Sequence, residues 1–515
     1  MKKILFLVVM LFALTLNVKA KSNTIEVNLD DLSSIKEYKT LDEYLKDLNN
    51  NKLDDIYITD FLYDGVSTVK SPDLDDFIEG DSNDTKIKVL EIKVININTT
   101  GDIKFSGSNK GYMIGVNTNN VKGNINIILN NVNLDTDSKK APVIYVYNKD
   151  KNYTDCKVTI KTVKGTKNYL EGGKLKKVSL LGSDELDKYT SNYNGDVLSN
   201  YKKYSNYYGI YTSDEIDNIL FATVQADNED LSEGDPLYFY KASGAISSDI
   251  DLYFEGEGFL SVTSKNKEGI ETKGNLTFSG GTGDYEIYAQ DDCLNTTTAS
   301  GNNVRNDLVI DVNSLLAIVD EEADEGDAID SNGTLTINGG TIIAIAHPTS
   351  PDAGLDSGNG TYINGGTILA TGNMTDQIES SSKQKYIYVT FNSKIDKDSL
   401  IVIKDQDDEV ITAFKTSRSI SNLLYSSKDL DYESYKVYTG GDITGEEENG
   451  LYTKIDKYTG GEEVSVKDVS NNMNTNSKKD ISKVLLIALL IESGLFIIYS
   501  IVVCILVKNK KLSLI

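Results

Sequence analysis

With 515 residues, the chain has room for about three domains of ~150 residues or for one long repeat array. Apolar residues make up 39% and charged residues 25%, enough to build a core, which excludes disorder in bulk. Lys+Arg is 52 against Asp+Glu 78, a net charge of −26; a nucleic-acid binder needs a basic stripe to neutralise phosphates, so neither nucleic acid nor nucleotide is expected as a partner. Two arginines (Arg305, Arg418), one histidine (His347), three cysteines and no tryptophan leave zinc sites, His-based triads and haem ligation almost without donors. Hard, oxygen-ligated metals remain well supplied.

Residues 1–20 carry two lysines, an unbroken apolar run and Val18-Lys19-Ala20, the pattern of a secretory signal peptide. Residues 21–100 form an N-terminal region and the start of a repeat. From 101 to 380 the chain reads as short strands at a recurring interval. Asn275-Leu-Thr-Phe-Ser-Gly280-Gly281-Thr282, Thr334-Leu-Thr-Ile-Asn-Gly339-Gly340-Thr341 and Thr361-Tyr-Ile-Asn-Gly365-Gly366-Thr367 share one punctuation. Aligning the apolar positions gives Phe254, Phe278, Ile310, Ile337 and Ile363, at spacings of 24, 32, 27 and 26, with a polar loop over 296–306 inside the longest. Apolar–polar alternation has the two-residue period of strands, and the paired glycines supply tight turns. A coil of this kind cannot bury its inner face without a neighbour, so the expectation is an all-β parallel β-helix, right-handed by the family resemblance given below. Few prolines and a lack of amphipathic helices agree with it. A β-sandwich is the alternative for any set of short strands. Residues 126–134 and 156–161 read as earlier coils, and 171–240, rich in Tyr, Asn, Ser and Lys, as a large insertion. Residues 381–464, with strands near 385–391 and 400–404 and the repeated Tyr438-Thr-Gly-Gly441 and Tyr458-Thr-Gly-Gly461, read as a C-terminal β cap.

Residues 465–483 are a polar linker. The 24 residues of 484–507 contain one charge, Glu492, and as a helix would span ~36 Å, enough to cross a bilayer. Lys508, Lys510 and Lys511 follow, which marks 508–515 as a cytoplasmic tail. Leader and membrane helix together predict a single-pass cell-membrane protein with an extracellular N-terminal domain. Fifty lysines against two arginines suggest an AT-rich, bacterial genome. Cys504 falls in the membrane segment; Cys156 and Cys293 could pair, though nothing local favours it.

Before each Gly-Gly strand stands an acidic turn: Glu268-Gly-Ile-Glu271, Asp292-Cys-Leu-Asn295, Asp327-Ala-Ile-Asp330 and Asp352-Ala-Gly-Leu-Asp356. With Ile270, Leu294, Ile329 and Leu355 pointing inward, the flanking oxygens stack outward from coil to coil. At a strand spacing of ~4.8 Å, bare carboxylates repel, and Ca²⁺, which takes about six to eight oxygens, would relieve that repulsion. Asp291 and Asp324 are further candidate ligands. The alternative is a solvated acidic ridge.

The order of several stretches resembles that of a known family: secreted, calcium-binding right-handed β-helix proteins that bind carbohydrate, with cellulose and pectic acid among their ligands. These stretches are Leu129-Asn-Asn-Val-Asn-Leu134, Ala141-Pro-Val-Ile-Tyr145, Gly256-Glu-Gly-Phe-Leu-Ser-Val262 and Gly269-Ile-Glu-Thr-Lys-Gly-Asn-Leu-Thr277. Asp327-Ala-Ile-Asp-Ser-Asn-Gly-Thr-Leu-Thr-Ile-Asn-Gly-Gly340, Ala353-Gly-Leu-Asp356 and the Tyr-Thr-Gly-Gly repeats continue them. The resemblance implies calcium in the acidic turns and a polysaccharide partner. The 171–240 insertion, and Asn295 where an acid would be expected, depart from it.

The expected function is therefore calcium-dependent binding of a pectic, acidic or cellulosic polysaccharide. An acidic protein would meet a polyanion only through bridging calcium, and the 31 tyrosines offer rings that stack on sugar faces. Which residues bind sugar is not legible. Gln290-Asp291-Asp292-Cys293 resembles the acidic motif of polygalacturonases, but their Gly-His-Gly and Arg-Ile-Lys are missing, so hydrolysis by paired carboxylates is not expected. A pectate lyase, with calcium and a lysine base, and a surface adhesin or scaffold without sugar specificity are the alternatives.

Overall fold

The computed structural model describes residues 24–39, 41–59, 62–63, 68–69, 92–118, 121–136, 141–148, 156–173, 175–176, 241–297, 306–374, 376–431 and 434–471. Two compact units are distinguished, 1–469 and 470–515, and the acidic turns and the apolar cores lie in the first. The leader, most of the 171–240 insertion, the 484–507 segment and Cys504 lie outside the described residues.

Parallel strands dominate because the sequence repeats its apolar positions in register. Ile103 pairs with Ile127, Ile127 with Ile160, Ile160 with Phe254, and then Phe278, Ile310, Ile337 and Ile363 follow one another across the ladder. All eight are fully buried. The alignment of Phe254, Phe278, Ile310, Ile337 and Ile363 read from spacing is thus the observed hydrogen-bond register. Phe254 and Phe278 stack at 4.7 Å between centroids, and Tyr285 meets the Phe278 ring edge-on at 5.0 Å. The glycine pairs act where rungs come close: Gly340 and Gly366 have φ of 107° and 100°. A Cβ on Gly366 would lie 2.5 Å from the Gly340 carbonyl oxygen, so no other residue fits without displacing the rung.

A second, ten-stranded sheet runs alongside in the first unit: Lys36–Glu37, Ile56–Thr59, Lys93–Ile97, Tyr112–Asn117, Ile144–Tyr147, Ile246–Ser248, Ile270–Thr272, Leu294–Thr296, Ile329–Ser331 and Asp356–Ser357. It is parallel except where Ile56–Thr59 meets Lys93–Ile97. Its inner column, Ile95, Ile114, Ile144, Ile246, Ile270, Leu294 and Ile329, is fully buried. One position from each turn, Ser248, Thr272, Thr296 and Ser331 form a buried hydroxyl column. Its members are satisfied by nearby carbonyls, as in Thr272 Oγ1 to Ile250 O at 2.7 Å and Thr296 Oγ1 to Asn306 O at 2.6 Å.

Two expectations are corrected here. The open right-handed parallel β-helix solenoid gives way to a ladder that closes on itself. Leu276–Phe278, Leu252–Gly256, Cys156–Thr162, Gly123–Asp135, Lys167–Gly172, Phe259–Ser264, Asp284–Ala289 and Leu308–Val319 pair in that order, and Leu308–Val319 pairs again with Leu276–Phe278. In hydrogen bonding this is a closed eight-strand parallel barrel with further strands added. The physical cause is the length of two strands. Gly123–Asp135 pairs through Gly123–Leu129 with one neighbour and through Asn133–Asp135 with another, turning at Asn131, whose φ is 56°. Leu308–Val319 does the same across an irregularity at Ile310/Asp311. Each thereby carries the ladder round a corner, which a period count of short strands does not reveal.

The single-pass membrane assignment is corrected as well, in that the structure gives it no support: its 484–507 segment lies outside the described residues. Among the described residues no helix is long and apolar enough to cross a membrane. The helix that is described, Leu41–Asn49, has nine residues, ~14 Å against a hydrocarbon core of ~30 Å. It was not expected from the sequence. Its Tyr44 packs edge-on against Tyr38 and close to Tyr57, with centroids 5.7 and 5.6 Å away.

At the other end of the unit, Ile420–Ser426 adds antiparallel to Thr367–Gly372 and so covers the last parallel edge. A six-stranded antiparallel sheet follows, built from Leu400–Asp405, Val410–Lys415, Tyr435–Thr439, Asp442–Glu448, Leu451–Thr459 and Glu462–Glu463. Both Tyr-Thr-Gly-Gly repeats end strands of this sheet, with all four glycines at positive φ. A second apolar core joins this block to the parallel strands, with Leu316, Ile343, Ile345 and Leu369 packed against Ile387, Ile401 and Phe414. The expected strands near 126–134, 156–161, 385–391 and 400–404 are present. Of the expected insertion, Glu171 and Gly172 instead complete the strand Lys167–Gly172.

Candidate functional site

The acidic turns fall on the outer side of the ten-stranded sheet. Ile270, Leu294, Ile329 and Leu355 are buried in the core, as their apolar character requires. The next residue of each turn faces the other way and stacks in strand register: Ser247, Glu271, Asn295, Asp330, Asp356. One turn of sequence earlier, Glu268, Asp292 and Asp327 run beside them, linked through the backbone by Gly269 N to Asp292 O and Cys293 N to Asp327 O.

Most of these carboxylates have an internal partner. Asp292 Oδ1 accepts from Asp327 N at 2.8 Å and its Oδ2 from Asn295 Nδ2 at 2.5 Å; Asp327 Oδ1 accepts from Ala353 N at 2.6 Å. Asp352 Oδ2 accepts from Gly326 N at 2.7 Å and from Ser350 Oγ. Glu271 Oε2 accepts from Ser243 N at 3.0 Å and Ser247 Oγ at 3.2 Å. Asp291 forms an ion pair with Lys267 at 2.5 Å, so a lysine holds this candidate ligand. Asp324 lies on an exposed bend outside the column. Two buried oxygens, Glu268 Oε2 and Asn295 Oδ1, have no hydrogen-bond partner.

Crowding of like charge in a low-dielectric setting favours the protonated forms. Burial, then the charges of Glu271 and Asp291, push Glu268 up to about 8. Burial, followed by Asp356, Asp352 and Asp330, raises Asp327 to about 8 despite the Ala353 amide. Burial and the neighbouring Asp356 and Asp291 raise Asp330 to about 7. Asp292 and Asp356 are raised for the same leading reason. The column therefore holds less negative charge than its composition suggests unless a cation enters it. Among the described residues no group of three or more His, Cys, Asp or Glu side chains could hold a metal ion as placed. The structure brings the predicted residues into one column without converging them on a point.

Cys156 and Cys293 are both buried free thiols, not a disulfide. Burial pushes the Cys156 thiol up to about 11, so neither reactivity nor metal binding is favoured there.

A second feature was not assigned from sequence. On the outer face of the parallel ladder, Ser108, Asn133, Tyr169, Ser261 and Glu286 lie side by side in register, and the column continues as Leu316, Ile343 and Leu369. Its later members are apolar and covered by the antiparallel block, while among the earlier ones Ser108, Asn133 and Tyr169 are exposed, Glu286 is half-buried and Ser261 is buried beside them. The open part forms a groove of about 540 Å³. The signal that could have found it is the alternation in Lys167-Asn-Tyr-Leu-Glu171, which puts Leu170 inside and leaves Tyr169 46% exposed.

No curated protein and no solved structure matches the chain. Residues 205–416 match the family model described as carbohydrate-binding domain-containing protein, which supports a carbohydrate-binding domain over the acidic turns and the rungs around them.

Proposed function

We propose that this chain is a non-catalytic polysaccharide-binding protein whose acidic column is neutralised by calcium. The observation that carries the binding reading is the family match over 205–416. Support for a cation is chemical. Glu268 Oε2 and Asn295 Oδ1 are buried oxygens without partners, and several neighbouring carboxylates resist ionisation. Hard oxygen donors of this kind suit calcium, which tolerates irregular ligand sets. In this reading the ion stabilises the fold, and the sugar is held by the protein surface.

The test is a glycan array probed with the full chain in calcium and in chelator, together with a product assay on the bound polysaccharides. Binding to at least one glycan is expected, with no chain shortening or unsaturated product. Chelation is expected to lower the melting temperature, and added calcium to restore it, since the metal binds the folded register. An array with no bound glycan would end the binding reading. Product formation would end the non-catalytic one, and a melting temperature indifferent to calcium would remove the ion.

A further inference from the structure

Tyr169 is one of two large hydrophobic side chains strongly exposed among the described residues, and its setting differs from that of an incidental surface ring. It stands in the middle of four adjacent parallel strands, Gly101–Lys110, Gly123–Asp135, Lys167–Gly172 and Phe259–Ser264. Phe259 supports it from one side, ring centroids 5.8 Å apart and planes inclined by 60°. Hydroxyl and amide groups of Ser108, Asn133, Ser261 and Thr263 line the same groove. An exposed ring among short polar groups offers an apolar platform edged by donors and acceptors.

Two of the cations beside the groove are held in ion pairs. Lys110 pairs with Asp135 at 3.1 Å, and Lys265 pairs with Glu171 at 3.1 Å. Lys167, on the same strand as Tyr169, is exposed, but the groove's own lining sets one lysine, Lys110, against Asp135 and Glu171, and the chain as a whole carries −26, which disfavours a polyanion. The outward positions recur at the strand spacing of ~4.8 Å, so the four strands present a strip ~14 Å across, suited to a ligand that is itself a linear repeat.

We propose that this groove binds a segment of an uncharged polysaccharide, with Tyr169 stacking on a sugar face and the flanking hydroxyl and amide groups bonding its hydroxyls. The inference rests on the polysaccharide-binding reading and locates its site away from the acidic column.

The full chain, wild type and variants, is titrated with neutral glucan, mannan and xylan oligosaccharides and with polygalacturonate. Wild type is expected to bind at least one neutral oligosaccharide and to prefer it to polygalacturonate. Tyr169→Ala should weaken that binding roughly tenfold or more with an unchanged melting temperature, while Tyr169→Phe keeps most of it. If Tyr169→Ala lowers the melting temperature, Asn133→Ala and Thr263→Ala on the same face supply the comparison, and each should weaken binding without unfolding. Wild type binding no glycan overturns the polysaccharide-binding reading and this site with it. Wild type that binds, with the folded variants binding equally well, overturns the groove alone. Preference for polygalacturonate overturns the uncharged ligand.

Discussion

Asp327 and Asp330 show how much a residue's surroundings can change its chemistry. Both sit where burial and neighbouring carboxylates raise them, to about 8 and about 7. A group whose folded value is raised contributes stability that is complete below the ordinary carboxylate range near 4 and is lost as pH rises through the folded value. In chelator, the chain should therefore melt higher at pH 5 than at pH 8, and Asp327→Asn with Asp330→Asn should shrink the difference. Calorimetry at the two pH values checks this. The calcium arm separates two outcomes. With calcium as partner, added ion restores wild type at pH 8 and the double variant loses that response. Without it, the double variant melts higher at pH 8 and neither protein responds. The four acidic turns, their inward residues and their stacking were legible because the turns repeat in step with the strands. Their internal hydrogen bonding was not, since it depends on backbone amides such as Ala353 N, brought in by the next rung.

For single elements, the column from Ile103 to Ile363 is what makes each short strand stable. A three-residue strand such as Leu276–Phe278 has almost no stability by itself and is fixed by the Leu252–Gly256 and Leu308–Val319 strands on either side. Phe278 carries most of that packing through the Phe254 and Tyr285 rings. Phe278→Ala should cost ~3–5 kcal/mol, seen as a lower urea midpoint. Phe278→Leu, closer in volume, should cost distinctly less. The Leu41–Asn49 helix does follow a helical period in the sequence, with Leu41, Tyr44, Leu45 and Leu48 at i, i+3, i+4 and i+7. Over nine residues that period spans little more than two turns, and Tyr44 meets the Tyr38 and Tyr57 rings only in the folded chain.

Across the whole first unit, one outer column changes character along the ladder, from Asn133, Tyr169 and Ser261 to Leu316, Ile343 and Leu369. The antiparallel block over 386–463 covers the apolar end, which would otherwise be a large exposed patch. A chain truncated after residue 380 should therefore associate. Size-exclusion chromatography should show species larger than a monomer, and a dye for apolar surface should bind where the full chain binds little. A truncated chain that stays monomeric and dye-negative would contradict this role for the block.

The sequence by itself determined the all-β class, the parallel register, the buried columns and the in-step acidic turns, because each is a local pattern repeated at a fixed interval. Tertiary structure decided what no interval contains. The closing of the ladder depends on two long strands turning a corner at Asn131 and near Ile310. The open groove depends on where the antiparallel block stops covering the face. Tyr169 is one of 31 tyrosines in the sequence, and only its position among four strands singles it out. Exposure is a property of what fails to pack against a residue, and that is set by partners distant in the chain.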